Sequence, residues 1–442
     1  VTKGRLIALI AALAVVVIAA AGGVVWWRTH PEPPPTQPAS ADPVAIAVPN
    51  APRQLTIGVI VTLSSEAGQG DDWKYAAEGA QVAVRRLAMG GITVKLETAD
   101  DKGTADGAEQ AVHTLAGKDV SGIVVASEGS HLEGAVKAAA QEDVPLLLPY
   151  AGDPQVLDAA HRAVAKSEAN SGELVWSTAP MADTVGRALS ASLKAAKLTK
   201  PLVIDAGGGI PASVEPTSTV AFAPGGDTTA LIKKVQRVTK PGGVDSIVVS
   251  GPAEQQATVV QALQGASIGQ QLFLTPDATS PAFTDALVKA GGSLSTSLAT
   301  VGPDWGDAVA LRSDADGRAM SSFLSAVRML AADADATTLL GDQPFSIAAG
   351  AADVRSHDAV LALVRAAAAA RSGTAADVAA ALPGLTLDHD SGLAGPSLDF
   401  GEQAALVPQS VVALRSSDQD LGLRPADEES TPRLIWFARP AS

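Results

Sequence analysis

Between residues 55 and 148 the chain alternates short unbroken apolar runs with longer stretches in which apolar residues recur every three or four positions. The runs 55–63, 92–97, 120–126 and 144–148 lack strict alternation, which predicts strands covered on both faces. Between them, Trp73, Ala76, Ala77, Ala80, Val84 and Leu87 fall on one face of a helix that Gly90-Gly91 ends, and 104–115 and 131–141 predict two more helices. Strands alternating with helices imply a parallel sheet wound by right-handed crossovers. The loops 64–72, 100–103, 127–130 and 149–154 then lie at the carboxyl ends of the strands, where such sheets form their clefts.

A second round of the same pattern follows. A helix is predicted over 183–197; strands are predicted at 202–205, 219–223, 246–250, 272–275 and 294–301, with helices at 228–238, 253–266 and 281–290. Only residues 206–218 separate two of these strands, and Gly207-Gly208-Gly209, Pro211 and Pro216 leave no room there for a helix. A phosphate cradle is disfavoured at this glycine run, because neither a Lys-Ser/Thr pair nor a helix N-terminus follows it. Helices are predicted again at 319–333 and 353–371. Residues 416–432 are polar and acidic, and Leu434-Ile435-Trp436-Phe437 reads as one more strand or as a clip onto the second lobe.

Several phrases recur in a telling order: Ile57-Gly58-Val59, Gly70, Gly79-Ala80, Gly90-Gly91-Ile92, Asp100-Asp101, then Pro145, Pro149 and Pro154, and later Ser356-His357-Asp358-Ala359-Val360. In this order they resemble the type I periplasmic solute-binding proteins, specifically the branched-chain amino acid family that feeds ABC importers. The resemblance runs from about Leu55 to about Leu414. It implies an α/β fold of two doubly wound parallel-sheet lobes, 54–178 with 302–398 and 179–301 with 399–442, hinged near Ala179, Val301 and Phe400. It implies no catalysis and no cofactor, a small-molecule solute, and the membrane subunits of an ABC permease as partners. The ligand-binding positions it suggests are Ser64, Ser65, Gln69, Gly129, Ser130, Tyr150, Ala151, Gly152, Gly207, Gly251 and Asp277. Ser130 matches the family's ligand-contacting Ser, and it also opens the capping box Ser130-His131-Leu132-Glu133. Gly152 and Gly225 stand where amino-acid-binding relatives carry a hydroxyl and a carboxylate, and His357 replaces a Tyr.

Length and charge narrow the function further. A chain of 442 residues exceeds a single core, so two lobes fit. A net charge of −15 argues against nucleic acid as a partner, and the absence of Cys removes disulfides, thiolate metal sites and thiol nucleophiles. Residues 6–27 are apolar for longer than the ~20 residues that span a bilayer. They read as an N-terminal transmembrane helix or as a cleaved signal, with Trp26-Trp27-Arg28 favouring the retained anchor. A Pro-rich linker over 29–53 would then hold the lobes outside the cytoplasm at the cell membrane. Asp388-His389-Asp390 and Ser313-Asp314-Ala315-Asp316-Gly317 have the residue types for a metal but read as a solvated turn and an incomplete calcium loop. Apart from Lys102 the cleft loops carry no cation, which predicts a neutral or weakly polar solute ahead of a branched-chain amino acid. The rival reading is a membrane-tethered sensor or interaction module of the same fold that has lost solute binding.

Overall fold

The computed structural model describes residues 42–63, 65, 70–165, 173–240, 243–425 and 433–438; the apolar stretch 6–27, Ser64 and Gln69 lie outside the described residues. In the first lobe, strands β1 (Gln54–Val61), β2 (Thr93–Asp100), β3 (Ile123–Ala126), β4 (Leu146–Leu148) and β5 (Val175–Ser177) form one sheet in the order β2-β1-β3-β4-β5. Every pairing in it is parallel. Helices α1 (Gly79–Met89), α2 (Ala105–Ala116), α3 (Leu132–Glu142) and α4 (Pro154–Val164) connect successive strands. Ile57 and Val59 pack with Leu87 of α1 in one core, whereas Ile60 packs with Leu115 of α2 and Leu132 of α3 in another. Both faces of β1 are therefore covered, which is why its apolar run does not alternate. Burial of each such side chain stabilises the fold by ~1.5–3 kcal/mol.

Helix α5 (Ala182–Ala195) opens the second lobe, whose sheet runs β14-β13-β10-β9-β8-β6-β7. Its strands are β6 (Pro201–Asp205), β7 (Ser218–Ala221), β8 (Ser246–Ser250), β9 (Gln271–Leu274), β10 (Leu298–Pro303), β13 (Val411–Ser417) and β14 (Ile435–Ala438). The first five are parallel, while β13 and β14 return antiparallel. Helices α6 (Thr228–Val238), α7 (Ala253–Gly265) and α8 (Pro281–Lys289) provide crossovers. No helix lies between β6 and β7. Asp205 folds that loop instead, its Oδ1 accepting from the Gly207 and Gly209 N–H groups at 3.0 and 2.9 Å, and both glycines need the left-handed backbone at φ 110° and 72°.

The chain returns to the first lobe through α9 (Ala315–Ala331), α10 (Phe345–Ala348), α11 (Val354–Ala370) and α12 (Ala375–Ala381), then the short pair β11 (Thr386–Leu387) and β12 (Leu398–Asp399). Asp314 caps α9 through the Gly317 N–H at 2.9 Å and pairs with Arg312 at 2.6 Å, and the His389 Nε2 meets Asp316 Oδ1 at 2.7 Å. The two candidate metal phrases thus serve helix capping and ion pairing. His357 is fully buried between Arg86 (3.0 Å) and Asp358 (2.7 Å), and burial lowers its pKa.

Two boundaries differ from the sequence reading. Residues 42–53 are part of the first lobe and not a spacer: Ile46 and Val48 are buried, the Ile46 N–H donates to the Arg86 carbonyl at 3.0 Å, and Arg86 Nε donates to the Val44 carbonyl at 2.9 Å. The alternation Val44, Ile46, Val48 is a packing pattern that the surrounding prolines conceal. Phe400, expected at a crossing, is buried in the first core, and Ala404 bridges to Ser177 at the edge of the first sheet. The chain joins the second sheet only at β13.

Candidate functional site

Three loops at the carboxyl ends of the first sheet are tied together by a buried polar cluster. Thr62 Oγ1 donates to Asp101 Oδ1 at 2.7 Å and lies 2.7 Å from Ser127 Oγ; His131 Nε2 lies 2.9 Å from Ser127 Oγ and 3.0 Å from Asp101 Oδ2. Ser, His and Asp meet here, yet one imidazole nitrogen faces both oxygens. A nucleophile relay needs the serine and the carboxylate on opposite nitrogens, so this cluster locks loops and does not activate Ser127. The turn above it depends on Gly70 at φ 98°, where a Cβ would lie 2.1 Å from Ser127 Oγ.

That turn delivers Trp73 into the space between the lobes. Tyr150, in the loop after β4, stacks on it with ring centroids 4.8 Å apart and planes 21° from parallel. Arg355, in the first turn of α11, lays its guanidinium 4.0 Å from the Trp73 ring centroid, 4.6 Å from Tyr150 and 4.8 Å from Trp305. Its Nε donates to Asp353 Oδ2 at 2.6 Å, and Asp353 Oδ1 accepts from the Tyr150 hydroxyl at 2.8 Å. Ser356 Oγ lies 2.8 Å from the same hydroxyl. A desolvated guanidinium among aromatic faces gains ~2 kcal/mol per good contact. Arg355 is thereby held by charge, by hydrogen bonding and by three rings.

Carboxyl groups from both lobes surround it. Burial, then neighbouring Asp277, pushes Asp72 up to about 7, although its Oδ2 accepts from the Ala253 N–H at the start of α7 at 3.2 Å. This bond joins the first lobe to the second. Burial raises Glu128 well above its ordinary value, and Asp277 and Asp72 add to the rise. Burial raises Asp277 as well, while hydrogen bonds from Thr275 and Glu128 oppose the rise. The Trp73 indole N–H has no partner in hydrogen-bonding geometry, although it lies close enough to Glu128 to favour that carboxylate.

Beside this cluster a cavity of about 430 Å³ opens between the lobes. Tyr75 and Arg355 line it from the first lobe, Ser280 and Trp436 from the second, and Trp305 from the crossing between them; Arg433, ahead of β14, completes the wall. The size suits a small solute.

Comparison with solved structures places this architecture. A periplasmic binding protein type 1 from Bordetella pertussis Tohama I superposes with a TM-score of 0.60 at 16% identity, over 86% of this chain and 99% of that one. The branched-chain amino acid transporter substrate-binding protein LivJ from Streptococcus pneumoniae, solved with isoleucine, gives 0.60 at 15% identity over 87% and 100%. An ABC transporter substrate-binding protein from Desulfitobacterium hafniense, solved with Leu, gives 0.59 at 17% identity over 83% and 98%. This chain has the type I periplasmic binding protein fold. No protein-family model matches the sequence, and no curated protein matches it.

On this periplasmic-binding fold the expected ligand positions separate into groups. Tyr150 and Asp277 join the central cluster. Ser65 is half-buried and donates to Asp71 Oδ1 at 3.1 Å. Gly129 adopts φ 120° at the entry to α3, and Ser130 is exposed. The expected capping box is replaced: His131 occupies the N-cap but its side chain does not cap the helix, and the Glu133 N–H goes to the Ser130 carbonyl at 3.3 Å. Physically, His131 is drawn inward to Asp101, which starts the helix one residue late.

Ala151 and Gly152 serve the crossing, their carbonyls accepting from Ser177 Oγ at 2.7 Å and the Ala182 N–H at 2.9 Å. Gly207 lies in the Asp205 turn. The Gly251 carbonyl accepts from Gln256 Nε2 at 2.6 Å, and a Cβ there would sit 2.5 Å from the Ala206 carbonyl oxygen. Sequence reasoning missed Trp73, Glu128, Arg355 and Trp305 as a group. One signal was available: the chain has only 6 Trp and 2 Tyr, so aromatic residues beside the loops were candidates for a shared role.

Proposed function

We propose that this chain is an extracytoplasmic solute-binding protein of an ABC importer, which closes two lobes on a small amino acid-like or neutral polar solute and performs no chemistry on it. One observation carries the reading: a single cavity of about 430 Å³ whose walls come from both lobes and from a crossing between them. Such a site gains its binding energy from closure, because each lobe supplies only part of the wall. Residues 6–27 act as the membrane anchor in this reading, and the permease is the partner that receives the solute. A thermal-shift screen of amino acids and small polar solutes tests it, since a ligand at ~100 times its Kd adds ~2.7 kcal/mol of stability. Stabilisation by at least one solute is expected; a flat response across the screen overturns the reading. Recovery of a shortened form from the medium would overturn the anchor.

Arg355 favours a second reading. Its side chain fills the centre of the cleft, and Tyr150, expected to meet solute, spends its hydroxyl on Asp353 and its ring on Trp73. A module of this fold that has lost solute binding and contacts a membrane protein would show that arrangement. It predicts no thermal shift with any solute and co-purification with a membrane partner that is independent of added solute.

A further inference from the structure

Two contacts that join the lobes end on carboxyl groups. Asp72, in the turn Asp71–Trp73 of the first lobe, is 5% exposed, and its Oδ2 takes the N–H of Ala253, the first residue of α7 in the second lobe, at 3.2 Å. Among the described residues no Lys, Arg or His pairs with Asp72, and residues 66–69, which lie outside the described residues, carry no cation. The other contact pairs acid with acid. Glu128, in the loop after β3, and Asp277, in the turn Pro276–Thr279 after β9, share a hydrogen bond across the cleft. Two carboxylates cannot form it, because neither has a hydrogen to donate; one of the two must keep a proton.

Little positive charge surrounds these groups to take the place of that proton. Asp277, Asp71 and Glu254 add negative charge around Asp72. Glu254 is the one charged residue of α7, and α8, which packs on the Asp71–Trp73 turn, brings Asp285 and Lys289, both exposed. Lys74 lies over the Tyr75 ring, 5.5 Å from its centroid, and His131 turns inward to Asp101 at 3.0 Å. Arg355 is the cation that acts on Glu128 and Asp277, and it is already paired with Asp353 at 2.6 Å. Burial raises all three acids, Asp72 to about 7. Parting the lobes would return them to water, where carboxyls ionise near pH 4. We propose that the cleft is latched by protons: closing the lobes takes up protons on Asp72 and on the Glu128–Asp277 pair, and opening releases them. Acid therefore favours the closed form. Between pH 4 and 7 the closed state holds the Asp72 proton and the open state does not, so the ratio of open to closed molecules rises with pH by up to ~tenfold per unit for this group and levels off above 7. The carboxyl pair acts in the same direction. Each contact is made by the chain's own groups, so the latch belongs to the fold whether or not the cleft takes a solute.

The chain has no Cys, so Gln110→Cys on α2 and Lys234→Cys on α6, both exposed, place one spin label on each lobe. Interlobe distances by pulsed electron resonance, on the full chain without added solute, should show one population at pH 5 and a second, at a different distance, that grows at least tenfold by pH 8. Circular dichroism at each pH should stay constant, which separates opening from unfolding. Asp72→Asn keeps an oxygen for Ala253 but cannot ionise, and should reduce the growth at least threefold. Glu128→Gln can donate to Asp277 as the protonated acid does, and combined with Asp72→Asn should leave the closed population alone at pH 8. A wild-type distribution unchanged from pH 5 to 8 overturns the proposal, and needs no variant to fold. So does opening of the double variant with the wild-type pH profile, or its opening already at pH 5, which would mean that the ionised carboxylates hold the lobes together.

Discussion

Arg355 and Arg433 border the same cavity, yet their surroundings are opposite. Arg355 has a carboxylate at 2.6 Å, three aromatic faces and further carboxyl groups within reach, so it belongs to the architecture of the closed lobes. Arg433 is half-buried, donates to a backbone carbonyl, and has Arg424 as well as Asp307 and Asp420 for charged neighbours. A cation enclosed by its own counter-charges is spent on structure.

The largest effect should come from cutting the enclosed cation. Arg355→Ala leaves the half-buried Asp353 without its ion-pair partner and strips a cation from three rings, and is expected to cost ~3 kcal/mol in urea unfolding. Arg433→Ala removes a half-buried guanidinium that donates to the Gly350 carbonyl and forms no ion pair among the described residues, and should cost less, ~1 kcal/mol. Equal losses from the two variants would break the comparison.

The buried acids between the lobes make cohesion pH-dependent. Asp72 is raised in the fold from 3.8 to about 7, so between these values the folded state holds more protons than the unfolded one. Stability from this group is therefore greatest near pH 4 and declines as pH rises toward 7, by at most roughly 4 kcal/mol. Glu128, raised in the same direction, adds to the decline. Asp72→Asn keeps an oxygen for the Ala253 N–H but cannot ionise, so denaturation midpoints measured from pH 4 to 8 should show a shallower slope. An unchanged slope would mean that Asp72 does not stand between the lobes as described.

Smaller effects sharpen the picture. Tyr150→Phe keeps the stack on Trp73 but leaves Asp353 and Ser356 short of a partner, and should cost ~1–2 kcal/mol in thermal unfolding. Ser130→Ala, at an exposed position that makes no side-chain cap, should change stability by less than ~0.5 kcal/mol and leave solute affinity unaltered. A large loss of affinity in Ser130→Ala would move recognition back to the loop after β3.

The sequence by itself determined the elements and their winding. Strand Ser246–Ser250 and helix Thr228–Val238 fall where the pattern predicts them, the helix because Asp227 caps it through the Thr229 N–H at 2.8 Å and apolar positions recur at helical spacing. These are local properties, written within a few residues of where they act. Tertiary structure alone decided the site. Trp73 reads as one more apolar position on a helical face, because periodicity registers hydrophobicity and not where a ring stacks. Arg355 reads as a polar residue in a helix that matches a known phrase, and nothing nearby says that its guanidinium turns back onto Asp353, Tyr150 and Trp73. The bond from Asp72 to Ala253 spans 181 residues, and that from Tyr150 to Asp353 spans 203. Charge compensation is a property of distances in space, so whether Arg355 is enclosed could be decided only once the two lobes had been packed together.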